Sequence, residues 1–259
     1  RRTEGGFAIR CSDKLVESFL EDLELVKCKS TPTPGLKVEC RVPQEEALGP
    51  EDARKLRGAI GRLMYIAHER CDVQFAAKEI ARGAAKLSTG DIVRIKRVGR
   101  YMAGTRQMEN ILRPDAKTSF DLVVCVDSNW ATDKVDRRST SCGHIFVNGA
   151  LVTSYSRTQP VPALSSGEAE LYALGTGTCE GLLIQSLIRE LPINMEVEMT
   201  VESDSNAAIS SQLRGGLGRM KHVELRHMFM QQLVKEKRMK LRKILGEENS
   251  SDLGTKYLE

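Results

Sequence analysis

One stretch limits what this chain can fold into more than any other. Phe120, Leu122, Val124 and Val126 alternate with Asp121, Val123, Cys125 and Asp127, which makes a mostly buried strand that ends in an acid. Residues 144–147 and 151–156 flank Asn148-Gly149, the strongest short hairpin signal a sequence offers. Three consecutive antiparallel strands follow. Residues 165–191 then read as a long helix and 197–201 as a fourth strand, and Asp204 leads into a short helix through Ile209. After a glycine-rich basic loop at 214–221 come a helix at 223–235, a fifth strand at 239–245 and a short helix at 251–258. The order βββαβαβα predicts an α/β fold, a mixed five-stranded sheet with helices packed on it.

Upstream the pattern is mostly helical. Residues 7–10 read as a strand and 13–25 as a helix, and the Pro and Gly residues of 30–35 break both helix and ladder. The stretch to Pro50 reads as a linker. From Glu51, Leu56, Ile60, Leu63, Met64 and Ala67 share one face of a helix that ends near Arg70. Further helices are expected at 72–85 and 91–102. The last carries Arg94, Lys96, Arg97 and Arg100, which a solvated helix face explains as well as a phosphate-facing stripe does.

Composition excludes some classes. With 41% hydrophobic and 29% charged residues, wholesale disorder is ruled out. The net charge of +4 is too small to establish a nucleic-acid partner. The seven cysteines stand singly with no CxxC pair, and there are four histidines. That argues against a zinc site and reads as reduced thiols in an intracellular protein. No apolar run approaches the roughly 20 residues that span a bilayer, so no membrane partner is expected. The start at Arg1, with neither Met nor a signal peptide, reads as a segment of a longer polypeptide.

The acids fall at special places. Asp127 ends the first strand of the sheet, Glu168 lies in the first turn of the long helix, Asp204 follows the fourth strand and Asp252 opens the last helix. Acids so placed can converge at one edge of a sheet. A hard divalent cation requires several carboxylate oxygens, and two such ions serve phosphodiester cleavage. Plainer roles exist for most of them. Ser165 and Glu168 have capping-box spacing, Asp204 can belong to a capping turn, and Asp252 suits the positive end of a helix. Asp127 is harder to explain that way, since an acid that ends an apolar strand gains nothing from burial without a partner.

The blocks around these acids resemble the RNase H domain of copia-type LTR-retrotransposon Pol polyproteins. They are Asp127-Ser128-Asn129-Trp130-Ala131, the run from Asp136 to Ser141, Gln159-Pro160, the run from Ala163 to Glu170, Asp204-Ser205-Asn206-Ala207-Ala208, the run from Lys221 to His227, and Asp252-Leu253-Gly254-Thr255-Lys256. Cys28-Lys29-Ser30-Thr31-Pro32, residues 58–67 and residues 96–105 look like the end of a reverse-transcriptase region and its connection to RNase H. The resemblance implies a thumb-like end of the reverse transcriptase at 1–50, a helical connection at 51–112 and an RNase H-like domain at 118–259. No YxDD-type polymerase motif occurs.

Carried over, the family's acidic quartet falls on Asp127, Glu168, Asp204 and Asp252, as catalytic residues that hold two Mg²⁺ (or Mn²⁺) ions. Glu170 is the rival of Glu168. The activity implied is hydrolysis of the RNA strand of an RNA–DNA hybrid, in a polyprotein whose upstream reverse transcriptase is a partner, within an intracellular retrotransposon particle of the cytoplasm or nucleus. Arg219, Lys221 and Arg226 are candidate nucleic-acid contacts, while the basic residues from Lys235 to Lys243 read as a solvated helix and edge strand. The chain departs from the family at Asn129, Gly167 and Glu224, and Cys142 looks like an extra residue. Gly175, Gly177 and Gly181 lie in the long helix, where each costs up to about 1 kcal/mol relative to Ala. The alternative is a catalytically silent nucleic-acid-binding scaffold or domesticated fragment of such a polyprotein.

Overall fold

The computed structural model describes every residue except 37–44, 114–118, 134–135, 193–194, 215–223 and 258–259; the side chains of 224–227 are also outside the described set. Two compact units share the chain. The first comprises Arg1, Ala8–Asn110 and Lys256–Glu259, and the second Arg2–Phe7 and Ile111–Thr255. Three short strands, β1 (Arg2–Thr3), β2 (Gly6–Ile9) and β3 (Asn110–Leu112), make a small sheet of their own.

The first unit is built from α1 (Asp13–Asp22), α2 (Pro50–Ile66), α3 (Cys71–Arg82) and α4 (Thr89–Gly104). Pro50 opens α2, where a missing N–H costs nothing. Helix α4 starts before the expected 91, because Ser88 and Asp91 form a capping box in which the Ser88 N–H donates to Asp91 Oδ2 at 2.9 Å. Phe19, Leu20, Leu63, Ile66, Ile95 and Met102 are fully enclosed in the core. A buried ion pair joins Arg70 and Asp72 at 2.7 Å, and the Tyr101 hydroxyl donates to the same carboxylate at 2.8 Å.

The second unit carries the mixed sheet that the sequence order implied. Its strands are β4 (Phe120–Asn129), β5 (Thr140–Val147), β6 (Ala150–Thr158), β7 (Val197–Ser203) and β8 (Lys240–Lys243), in the order β6-β5-β4-β7-β8. Strand β5 pairs antiparallel with both β4 and β6, β7 joins β4 in parallel, and β8 joins β7 in parallel. Asn148 takes the positive φ of the hairpin turn, at 48°. Helix α5 (Ser166–Glu190) lies on the apolar face formed by Leu122, Val124, Val126, Met199 and Val201.

Its glycines explain how closely it lies. A Cβ on Gly177 would stand 2.3 Å from Val126 Cγ1, and one on Gly181 would stand 2.8 Å from Val124 Cγ2. The propensity they lose in the helix is exchanged for contact with the central strand. Helices α6 (Asn206–Leu213) and α7 (Glu224–Lys235) complete this unit. The last expected helix, 251–258, is instead a short 3-10 turn at Ser250–Gly254, with the Asn249 side chain accepting from the Ser251 N–H. No helix among the described residues is long and apolar enough to cross a membrane.

Candidate metal centre

The centre of the sheet sets the site. Strand β4 brings Asp127 to the same end of the sheet at which β7 runs out into Asp204, because the two strands are parallel neighbours. Helix α5 crosses above them and supplies Glu170. Carboxylate oxygens of Asp127, Glu170 and Asp204 lie within 4.8 Å of one another, and Asp127 is 7% exposed. Asp252, in the 3-10 turn, acts on Asp127 through its charge but stands outside this group of three.

Of the quartet expected from the sequence, the structure gathers Asp127 and Asp204, sets Glu170 beside them where Glu168 was expected, and leaves Asp252 outside the group of three. Glu168 is buried, and its Oε2 accepts the Leu164 N–H at 2.8 Å while its own N–H donates to Ser165 Oγ at 3.2 Å. It closes the N-terminus of α5, taking the Leu164 N–H where the capping box read from the sequence would take that of Ser165. Glu170 is two residues on, roughly 200° around the helix, and so faces Asp127 and Asp204. Ser128 Oγ donates to Glu170 Oε1 at 2.8 Å, while Oε2 is buried with no hydrogen-bond partner.

Crowded acids in a partly dry setting resist ionisation. Burial pushes Asp127 up to about 6, the charges of Asp204 and Asp252 add to this, and a hydrogen bond from the Thr255 hydroxyl opposes it. Glu170 is pushed up to about 8, first by burial and then by the charge of Asp127, against the bond from Ser128. A partnerless buried carboxylate oxygen among gathered acids suits a hard divalent cation such as Mg²⁺ or Mn²⁺.

The basic candidates are placed unevenly. Arg219 and Lys221 lie outside the described residues, as does the side chain of Arg226 on α7. On β8, Lys240 pairs with Glu198 at 2.6 Å, Arg242 pairs with Glu202, and Lys243 Nζ donates to the Asp204 carbonyl. Trp130 is 47% exposed rather than packed in the core, with its indole N–H donating to the Ala163 carbonyl at 2.9 Å. Sequence reasoning weighed Glu170 only as a rival, and it missed Ser128 and Thr255 as partners of the acids. Hydroxyl contacts between distant segments leave no periodic signal.

No protein-family model matches the chain. It is 28% identical over 255 residues to the retrovirus-related Pol polyprotein from transposon TNT 1-94 of Nicotiana tabacum, which covers 95% of this chain and 19% of that protein. The chain thus spans about a fifth of the length of that relative. It is 35% identical over 128 residues to the secreted RxLR effector protein 161 of Plasmopara viticola, covering 48% of this chain and 87% of that protein. Among solved structures, it is similar to the N-terminal RNase H domain of a Mycobacterium tuberculosis protein fused to maltose-binding protein. That match has a TM-score of 0.39 and 12% identity, over 53% of this chain and 91% of the other.

Proposed function

From a chain similar to the retrovirus-related Pol polyproteins of transposons and carrying a mixed sheet of RNase H-like order, we propose a metal-dependent endonuclease. It hydrolyses the RNA strand of RNA–DNA hybrids and works alongside the reverse transcriptase of a longer polyprotein. The observation that carries this reading is the cluster of Asp127, Glu170 and Asp204, with the charge of Asp252 beside it.

Asp127, Glu170 and Asp204 would hold the cations, and the partnerless Glu170 Oε2 fits that task. Bound there, two divalent ions supply an activated water and stabilise the leaving oxygen. The chain's own residues do the rest. Ser128 orients Glu170, Thr255 orients Asp127, and the rim of the site takes the duplex. A hybrid would be read through its shallow minor groove and the 2′-hydroxyls of the RNA strand, with little base preference.

The test is cleavage of an end-labelled RNA–DNA hybrid in Mg²⁺ or Mn²⁺. E170Q and D204N are expected to lose about a hundredfold or more of the rate, as loss of a group that stabilises the transition state does. E168Q is expected to keep most of the rate while lowering stability. Loss in E168Q with retention in E170Q would return the site to the quartet read from the sequence. Hybrid binding without cleavage by the wild type would favour the silent scaffold.

A further inference from the structure

The 3-10 turn at Ser250–Gly254 is tied to the sheet by more hydrogen bonds than a passing loop requires. Asn249 Nδ2 donates to the Val126 carbonyl at 2.9 Å and Ser251 Oγ to the Cys125 carbonyl at 2.7 Å. From β6, Ser156 Oγ donates to the Gly254 carbonyl at 2.6 Å, and from the end of β4, Asn129 Nδ2 donates to the Thr255 carbonyl at 3.2 Å. These contacts fix Thr255, which is 1% exposed. Its Oγ1 lies 2.7 Å from Asp127 Oδ2 and 3.1 Å from the Asp252 carbonyl. A hydroxyl has one proton to give, and the shorter bond, to a carboxylate, is the stronger claim on it.

We propose that Thr255 and Asn129 are positioning residues for the metal centre: Thr255 fixes the rotation of the Asp127 carboxylate, and Asn129 fixes Thr255. The inference rests on the nuclease reading. Thr255 holds Oδ2 of Asp127 beside the place where the carboxylates of Asp127, Glu170 and Asp204 come together. Partners of this kind set the orientation of a metal ligand and contribute to its affinity.

Asn129 gives the departure at this position a physical role. Only its amide N–H can donate to the Thr255 carbonyl. An Asp there would set a carboxylate against that carbonyl and add a negative charge beside the existing acids. The residue type at 129 is thus matched to the turn that carries Thr255.

The experiment uses the full 259-residue chain. Mn²⁺ binding is titrated calorimetrically for the wild type, T255V, T255S, N129D and N129A, with thermal unfolding and circular dichroism run in parallel. Folded T255V is expected to lose about tenfold or more in Mn²⁺ affinity, T255S to recover most of it, and N129D and N129A to lose affinity in the same direction. Hybrid cleavage at saturating Mn²⁺ should be closer to the wild-type rate than cleavage at limiting Mn²⁺. Should T255V unfold, N129D and N129A decide the matter: N129D keeps the side-chain volume and N129A removes only the amide that holds the Thr255 carbonyl, and wild-type Mn²⁺ affinity in both would overturn the positioning role. Folded T255V with wild-type Mn²⁺ affinity would overturn the positioning role alone. No Mn²⁺ binding by the wild type would overturn the nuclease reading and the positioning role together.

Discussion

Asp127 and Glu170 hold their protons to about 6 and about 8 in the folded chain, whereas carboxylates of an unfolded chain lose theirs near about 4. The folded state therefore binds more protons than the unfolded state through that window. The stability these two groups contribute is fully present below about 4 and is lost as pH rises through the folded values. Cation binding needs the ionised acids and runs the other way. In EDTA, Tm is expected to fall between about pH 5 and about pH 8, and Mg²⁺ should offset the fall most at the upper end. E170Q should flatten the decline, and an EDTA profile that is already flat in the wild type would contradict the cluster's electrostatics. Of these residues, Asp127 and Asp204 were legible because acids at strand ends are conspicuous. Glu168 was favoured over Glu170 on the resemblance, although Ser165 and Glu168 also have capping spacing, because spacing alone does not reveal which helix face meets the sheet.

That face is set at the level of the elements, by how near α5 lies to β4. Gly177→Ala would drive a methyl group to 2.3 Å from Val126 Cγ1, and overpacking of this kind costs about 1–3 kcal/mol. Gly175→Ala meets nothing nearer than Met230 Cε at 3.7 Å, so helix propensity alone predicts a gain of up to about 1 kcal/mol. Urea unfolding of the two variants separates these outcomes, and equal effects would mean that the close approach is not tight. The strand order and the hairpin were readable because alternation and Asn148-Gly149 are local signals. The purpose of the glycines was not, since a glycine in a helix looks like a defect until the surface beneath it is known. The last element was misread as a longer helix because its form depends on hydrogen bonds to Cys125 and Val126, more than a hundred residues earlier in the chain.

At the scale of the molecule, each unit has its own core: one gathered around Leu63 and Ile66, the other around Leu122 and Val124. Leu63→Ala and Leu122→Ala should each cost about 2–5 kcal/mol. Hydrogen exchange is expected to show the loss of protection first in the unit that carries the substitution. Loss spread evenly over both would mean that the cores are energetically one. The helices of the first unit were readable from the spacing of Leu56, Ile60 and Leu63, since amphipathic periodicity survives without knowledge of neighbours. The clasp on Asp127 also has a consequence in time. Thr255 follows its carboxylate partner by 128 residues, so a ribosome has already released Asp127, Glu170 and Asp204 before Thr255 emerges. A nascent chain halted ahead of Asn249 holds three of the acids with nothing to orient the first of them. Translation itself therefore delays completion of the centre until its last segment has been made.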